Sequence, residues 1–409
     1  MNPMKKLRLG LLGTVWMFSM FASVLSTFIM QAVSYYHATT TSAGTLESFQ
    51  NVTIIIVTFV AFSFILKVGY KKALMSIIAL MIVVSILMPI INNYWMIKIY
   101  LICCGVVLVG MKIGIYSSVS IATENESKQA SFLSLLEATW MLASMAGMWV
   151  LSYFIKAFPE NWLYSMWVFA ALGIAVLVMW VFIPFDESAI AKEKDLPFTQ
   201  QIKDLIAICK NKLVMAIIII MFTASIVEMG VGAWLPGFYQ HAMSISGSLS
   251  VQLASFSLIL CFAGRIVVIF LLRFMKWNHI LFMYYSIGFV ILAIVLFTVE
   301  PSTHTIEHFK DVPFMALLLP LIGFILAPNA PLLNSSILAR TSKEKQALLM
   351  TVLAITFAVA SSIGARLVGQ LMESLGGITG FKITTLIPML LLVIMILPYS
   401  KFIQKGRIE

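Results

Sequence analysis

Twelve long apolar runs divide this 409-residue chain and constrain its fold more than any other feature. Each can cross the roughly 30 Å hydrocarbon core of a bilayer as a helix, which takes about 20 residues. Helices are expected because lipid offers no partner for backbone N–H and C=O groups. The runs, numbered here as spans 1–12, lie at 9–36, 48–66, 73–92, 96–121, 129–155, 162–184, 213–239, 249–272, 279–299, 313–339, 347–372 and 380–400. The sequence therefore predicts an all-α membrane protein with twelve transmembrane helices.

Composition and charge agree with a membrane location. Hydrophobic residues make up 61% of the chain and charged residues 11%, whereas a soluble domain carries about 25% charged residues. With both termini in the cytoplasm, 20 of the 27 Lys and Arg residues lie on that side, four on the other and three within spans. This asymmetry predicts a multi-pass protein of the inner (plasma) membrane with cytoplasmic termini. The formal charge of +10 then reflects topology and not a nucleic-acid partner.

A densely charged segment, residues 185–212, separates the two sets of six spans. It predicts a cytoplasmic linker with a short amphipathic helix after Pro197, between an N-terminal six-helix bundle at 1–184 and a C-terminal one at 213–409. Short repeats favour a duplication. Lys128-Gln129-Ala130 opens span 5 and Lys345-Gln346-Ala347 opens span 11, while Phe64 to Lys67 after span 2 has its counterpart in Phe270 to Arg273 after span 8.

The two-bundle pattern resembles the major facilitator superfamily along essentially the whole chain. In that family the loop after span 2 normally reads G-x-x-x-D-R-x-G-R-K. Here that loop retains only Lys67, Gly69 and Lys71, and Phe62 and Leu66 replace the glycine and the aspartate. This departure concerns the chemistry of the cytoplasmic gate and not the fold.

Span 7 resembles the fucose:proton symporter branch of the family in its segments Glu228-Met229-Gly230 and Trp234-Leu235-Pro236. The resemblance implies two bundles that rock about a midplane site, with spans 1, 4, 7 and 10 at the centre and spans 2, 5, 8 and 11 beside them. That branch is expected to carry carboxyl groups in spans 1 and 4. This chain has none in span 1 and Lys112 in span 4, which favours an organic anion, an amino acid or another charged metabolite over a neutral sugar.

Five charged residues interrupt the apolar spans. A charge at mid-membrane costs roughly 2.5–3.5 kcal/mol on insertion scales, so such residues usually face a cavity or a partner. All five fall on the eight central or flanking helices that the resemblance implies. They are Lys112, Glu137, Glu228, Arg265 and Arg366.

Lys112 and Glu137 lie at similar distances from the turn that joins spans 4 and 5, which predicts an ion pair at equal depth. Such a pair is either a switch, opened by protonation or by an anionic substrate, or a static contact that sets helix register.

Glu228 lies near the middle of span 7. A carboxyl group removed from water favours its neutral form and can exchange protons near neutral pH, so we expect Glu228 and Glu137 to be the proton-coupling residues. Arg265 keeps its charge and is expected to hold Glu228 when that residue is ionised, or to bind an anionic substrate; a static structural pair of Glu228 and Arg265 is the alternative to coupling. Arg366, in the outer half of span 11, either binds a substrate carboxylate or extends its charge towards the membrane surface.

Uncharged polar residues complete the candidate substrate site. Asn329 in span 10 lies between Pro328 and Pro331, and prolines there free backbone carbonyls beside a binding site or merely kink the helix. Gln31 is a further polar residue of span 1, in which a polar stripe of Ser19, Ser23, Ser26 and Thr27 binds a solute or forms a helix–helix seam. Trp140 in span 5 is a candidate for stacking on a substrate.

These observations predict a monomeric secondary transporter that moves a small polar solute by proton-coupled alternating access, without a cofactor and without enzymatic activity. A drug or metabolite efflux antiporter is the alternative. The H-x-x-E-H match at residues 304–308 has no obvious third ligand, so no metal site is predicted.

Overall fold

The computed structural model describes residues 3–122, 126–185, 198–338, 340–341 and 343–404, and every regular element among them is a helix. Eleven segments of the described chain are long and apolar enough to cross a bilayer. The remaining predicted span, 48–66, coincides with the 23-residue helix Leu46–Val68, of which side chains 59–67 are outside the described part. The predicted all-α membrane fold is confirmed.

The α-helices follow the predicted spans closely. In chain order they are α1 (Pro3–Ala22), α2 (Leu25–Ser34), α3 (Thr40–Gly44), α4 (Leu46–Val68), α5 (Tyr70–Ile91), α6 (Tyr94–Ala122), α7 (Glu126–Ala157), α8 (Ser165–Val181), α9 (Phe198–Cys209), α10 (Lys212–Ser225), α11 (Gly232–Met243), α12 (Gly247–Leu271), α13 (Trp277–Thr298), α14 (Phe314–Leu317), α15 (Leu321–Leu326), α16 (Asn329–Leu338), α17 (Lys343–Leu375) and α18 (Gly377–Gln404).

The described contacts divide the chain into two compact units. The first comprises Met1–Phe28 and Phe49–Asp195. Within it α1 packs against α7, and α5 packs against both α6 and α8. Its interior holds large side chains such as Phe21, Phe169 and Trp162, with Phe21 and Phe169 in edge-to-face contact at 5.8 Å.

The second unit comprises Ile29–Ser48 and Leu196–Glu409. The long helix α17 packs against α18, α3 and α10, while α12 packs on α15 and α13 on α18. The stacked rings of Phe238 and Phe381, 4.1 Å apart, lie in its core. This grouping follows contacts, whereas the predicted domain boundaries follow the covalent order of the spans.

Spans 1, 7 and 10 are interrupted along their length. Span 1 turns between α1 and α2, span 7 contains the π-helical turn Ile226–Val231 between α10 and α11, and span 10 consists of α14, α15 and α16. Pro328 directly precedes α16, in keeping with the predicted break, because proline lacks the N–H that a helix interior needs. The helix expected after Pro197 is α9; linker residues 186–197 lie outside the described part.

Candidate functional site

Glu228 occupies the π-helical turn Ile226–Val231 in the middle of span 7. A π turn inserts one extra residue into a helix, which changes the direction of the side chains around it, and such turns recur at functional sites. The Glu228 side chain is half-buried, while Val227 and Gly230 beside it are buried. The sequence therefore places its carboxyl group on the one turn of span 7 with irregular backbone.

Two glycines allow α17 to lie directly against this turn. A Cβ atom on Gly230 would come within 2.7 Å of the backbone carbonyl carbon of Gly364, and one on Gly364 within 3.0 Å of the Cα of Ile226. The backbone of the π turn is therefore in direct contact with the backbone of α17, a close approach that small residues permit between membrane helices. One turn further on, the indole Nε1 of Trp234 donates to the carbonyl of Ala365 at 2.7 Å. The π turn is thus held firmly on span 11.

Asn329 brings span 10 to Glu228. It is the first residue of α16 and only 1% exposed. Its amide Nδ2 donates to the Oε2 atom of Glu228 at 3.3 Å. Its Oδ1 atom accepts from the hydroxyl of Tyr285 on α13 at 2.7 Å. Both ends of the buried amide are therefore satisfied, which a buried polar group requires.

Arg265 reaches the same cluster from α12. The preceding residue, Gly264, permits close packing: a Cβ atom there would lie 2.7 Å from that of Ala327 and 2.8 Å from the carbonyl oxygen of Phe324. The half-buried Arg265 acts electrostatically on both Cys261, one turn earlier on the same helix, and Glu228. Arg265 is thus within electrostatic range of Glu228, and its expected role in holding the ionised carboxylate stays a prediction.

This cluster combines three chemical properties. Glu228 can change its charge, Arg265 keeps its charge at any working pH, and Asn329 offers a neutral donor. Partial burial disfavours the carboxylate, while the donor and the cation favour it.

Gln31 and Arg366 also lie in the second unit, outside the described contacts of Glu228. Gln31 is 6% exposed on α2, and its Oε1 atom accepts from the hydroxyl of Ser34 at 2.8 Å. Arg366 lies on α17, and its side chain is exposed. Their predicted roles in substrate binding stay predictions.

In the first unit, Ser19 of the polar stripe of span 1 lies at a contact with α7. The hydroxyl of Ser19 donates to the carbonyl of Trp140 and lies 2.6 Å from the hydroxyl of Ser144 on α7. Ser23 bonds the carbonyl of Met20 on its own helix. The seam interpretation accounts for Ser19, and the role of the other stripe residues stays a prediction.

The proposed Lys112–Glu137 pair stays a prediction. Lys112 lies on α6, but its side chain is outside the described part of the chain. Glu137 on α7 is exposed and Trp140, three residues later, is half-buried. The structure thus neither joins nor separates the two charged groups.

Tyr285 and Cys261 belong to the cluster but were not predicted from the sequence. Tyr285 is one of two adjacent tyrosines in an apolar helix, and Cys261 is a small residue that usually packs as an apolar group. Neither side chain is charged, so neither has the high cost of membrane insertion by which the sequence identifies candidate residues. Only their contacts with Asn329 and Arg265 distinguish them.

Comparison with known proteins relates this fold to transporters. The sequence profile of the Major Facilitator Superfamily matches residues 9–365. A mutant of the nucleoside transporter NupG has the same fold with a TM-score of 0.75 and 15% identity, over 98% of this chain and 99% of that chain. A variant of the E. coli fucose:proton symporter FucP has a TM-score of 0.61 and 15% sequence identity, over 98% of each chain.

A structure of proton-dependent oligopeptide transporters gives a TM-score of 0.73 and 12% identity, over 98% of this chain and 99% of that chain. At these identities the similarity concerns the fold alone. Comparison with curated proteins yields no match. Since the family profile covers most of its length, the chain belongs to the major facilitator superfamily and is a multi-pass membrane transporter.

Proposed function

We propose that this protein is a proton-coupled symporter that carries a small polar solute, namely an organic anion, an amino acid or a sugar, across the inner (plasma) membrane. It works as a monomer by alternating access, with both termini in the cytoplasm. One observation carries the proposal: the half-buried Glu228 is bonded by Asn329 and lies within electrostatic reach of Arg265.

The cluster supports coupling because its two charged members respond differently to protons. When Glu228 is ionised, its charge offsets that of Arg265, and Asn329 donates to the carboxylate. When Glu228 takes up a proton, it no longer balances the charge of Arg265. An anionic solute group that approaches Arg265 restores the balance. Proton and anion are therefore bound best together, which is the thermodynamic requirement for symport.

A neutral polar solute is also compatible with the cluster, because Asn329 and Glu228 can form hydrogen bonds with hydroxyl groups. Structures with this fold are described as transporters of nucleosides, fucose and oligopeptides, all of them polar solutes. Representatives of each class therefore belong in the first ligand screen, beside carboxylates.

The second candidate is an efflux antiporter for lipophilic compounds, with which an open groove on the first unit is compatible. The groove has a volume of about 570 Å³ and is lined by apolar and aromatic side chains of α7 and α8, among them Leu142, Trp149, Tyr153 and Val168. Apolar grooves on membrane helices can admit lipophilic compounds from the bilayer. The proposed coupling by Glu228 is compatible with proton antiport as well.

The first experiment is a thermal-stability screen of the purified protein, because a ligand of the folded state raises the melting temperature. The panel contains lactate, glutamate, fucose, uridine, dialanine and lipophilic dyes. Stabilisation by one polar class supports symport, whereas stabilisation by several unrelated dyes alone would favour efflux.

A transport assay in proteoliposomes then tests coupling with the compound that stabilises best. Glu228→Gln should abolish accumulation driven by a pH gradient while leaving counterflow intact. Glu300→Gln, the same change at an exposed residue beyond α13, is the matched control and should preserve both. Accumulation that survives in Glu228→Gln would remove Glu228 from the coupling mechanism.

A further inference from the structure

Tyr285 contacts the candidate coupling cluster from span 9, a helix without charged residues. Its side chain is fully buried, and its hydroxyl donates to the Oδ1 atom of Asn329 at 2.7 Å. A tyrosine hydroxyl removed from water nearly always has a hydrogen-bond partner. Here that partner is the amide that bonds Glu228, so Tyr285 is one bond removed from the carboxyl group.

Packing places this hydroxyl at the break in span 10. Gly288, one turn after Tyr285, lies directly against Ile325 of α15, and a Cβ atom at this glycine would collide with the Ile325 side chain. The ring of the neighbouring Tyr284 stacks on Phe324, with centroids 5.5 Å apart. These contacts fix α13 against α15 immediately before the break that starts α16 at Asn329.

The Asn329 amide has a donor end and an acceptor end, and the bond from Tyr285 occupies its acceptor end. Because the hydroxyl donates to Oδ1, the Nδ2 donor faces the carboxylate. A rotated amide would present its oxygen instead, and an amide oxygen can bond only a protonated carboxyl group. The orientation of the amide therefore sets the balance between the two forms of Glu228.

We propose that Tyr285 is a positioning residue that holds the donor end of Asn329 towards Glu228 and thereby tunes its proton exchange; the proposal rests on Glu228 as the coupling residue. Among the described side chains, the titratable or charged groups that act on or bond this cluster are Arg265 and Cys261 from α12 and Tyr285 from α13.

The test needs no substrate, since infrared difference spectroscopy follows the carbonyl band of a protonated carboxyl group as pH changes. In proteoliposomes, the band lost in Glu228→Gln belongs to Glu228. Tyr285→Phe removes the donor, whereas 3-fluorotyrosine at position 285 strengthens it. The two variants should move the titration midpoint of that band in opposite directions, each by about half a pH unit or more.

Tyr284 provides the matched controls, because its hydroxyl lies 3.5 Å from the carbonyl of Gly264 and bonds neither Asn329 nor Glu228 in the described structure. Tyr284→Phe and 3-fluorotyrosine at 284 should leave the midpoint unchanged. Equal midpoints for the variants at 285 and 284 would overturn the proposal. If Tyr285→Phe does not fold, the shift with 3-fluorotyrosine at 285 decides the question.

Glu228→Gln distinguishes the two proposals. If it removes no titrating band, Glu228 does not exchange protons and the proposed coupling itself fails, and the role of Tyr285 fails with it. If it removes a band whose midpoint does not respond to changes at Tyr285, coupling by Glu228 stands and only the positioning role is wrong.

Discussion

The amide of Asn329 donates to the carboxylate of Glu228 across 3.3 Å, and this contact joins the start of α16 to the π turn of span 7. The two residues are 101 positions apart in the chain. Each lies where its span departs from regular α-helix, Glu228 within a π turn and Asn329 after a break. The irregular backbone and the polar contact therefore coincide.

Replacing Asn329 by alanine should destabilise the protein, because the Tyr285 hydroxyl loses its acceptor and Glu228 loses its donor. Leaving the buried Tyr285 hydroxyl without its acceptor alone costs about 1–3 kcal/mol. Thermal unfolding of the purified protein should show a lower melting temperature. Asn334→Ala, on the same helix five residues later, is the control and should lower it less; equal losses would contradict the importance of the Asn329 contacts.

Replacing Gly230 by alanine should separate the π turn from α17, since the new Cβ atom would approach the Gly364 backbone to 2.7 Å. Overpacking of this kind costs about 1–3 kcal/mol. The Gly232→Ala variant is a close control, because a Cβ atom there meets nothing within 4 Å. We expect lower stability and slower transport for Gly230→Ala only. Similar melting curves for both variants would show that the contact between Gly230 and Gly364 can widen at little cost in stability.

Removing the charge of Arg265 should weaken binding of carboxylate solutes such as lactate or glutamate, if either stabilises the protein. A hydrogen bond to a charged group contributes about 1.5–3 kcal/mol, so Arg265→Gln should weaken binding about tenfold or more. Isothermal titration calorimetry measures this directly. Arg273→Gln, at an exposed position just beyond the same helix, should bind normally, and unchanged affinity in Arg265→Gln would exclude a direct role in anion binding.

The Lys112–Glu137 pairing can be tested by a double-mutant cycle. If the two are paired, Lys112→Ala leaves Glu137 as an unbalanced charge in the membrane, and the double alanine variant should be more active than Lys112→Ala alone. Proteoliposome uptake of the solute identified in the screen measures all three variants. Purely additive losses would rule out the pair.

The twelve spans and the all-α class could be read from the sequence because the bilayer is a uniform apolar solvent that selects long apolar helices wherever they occur. Asn329 and Glu228 could also be singled out, since a mid-membrane carboxyl group is costly and prolines flank the asparagine. Their direct contact could not be derived, because it depends on how spans 7 and 10 are rotated against each other.

Local sequence also left the polar residues of span 1 undecided between a solute site and a helix seam. The contact of Ser19 with Trp140 and Ser144 resolves this for Ser19. Tyr285 had no sequence signal at all, as a tyrosine in an apolar helix is compatible with many environments.

The sequence by itself determined which segments enter the membrane and which charged groups they carry with them, since hydropathy and charge are properties of each residue alone. Only the tertiary structure decided which of those groups meet. Hydrogen-bond partners such as Glu228, Tyr285 and Asn329 come from three different spans, and glycine contacts such as Gly230 on Gly364 set how closely span 7 lies against its neighbour.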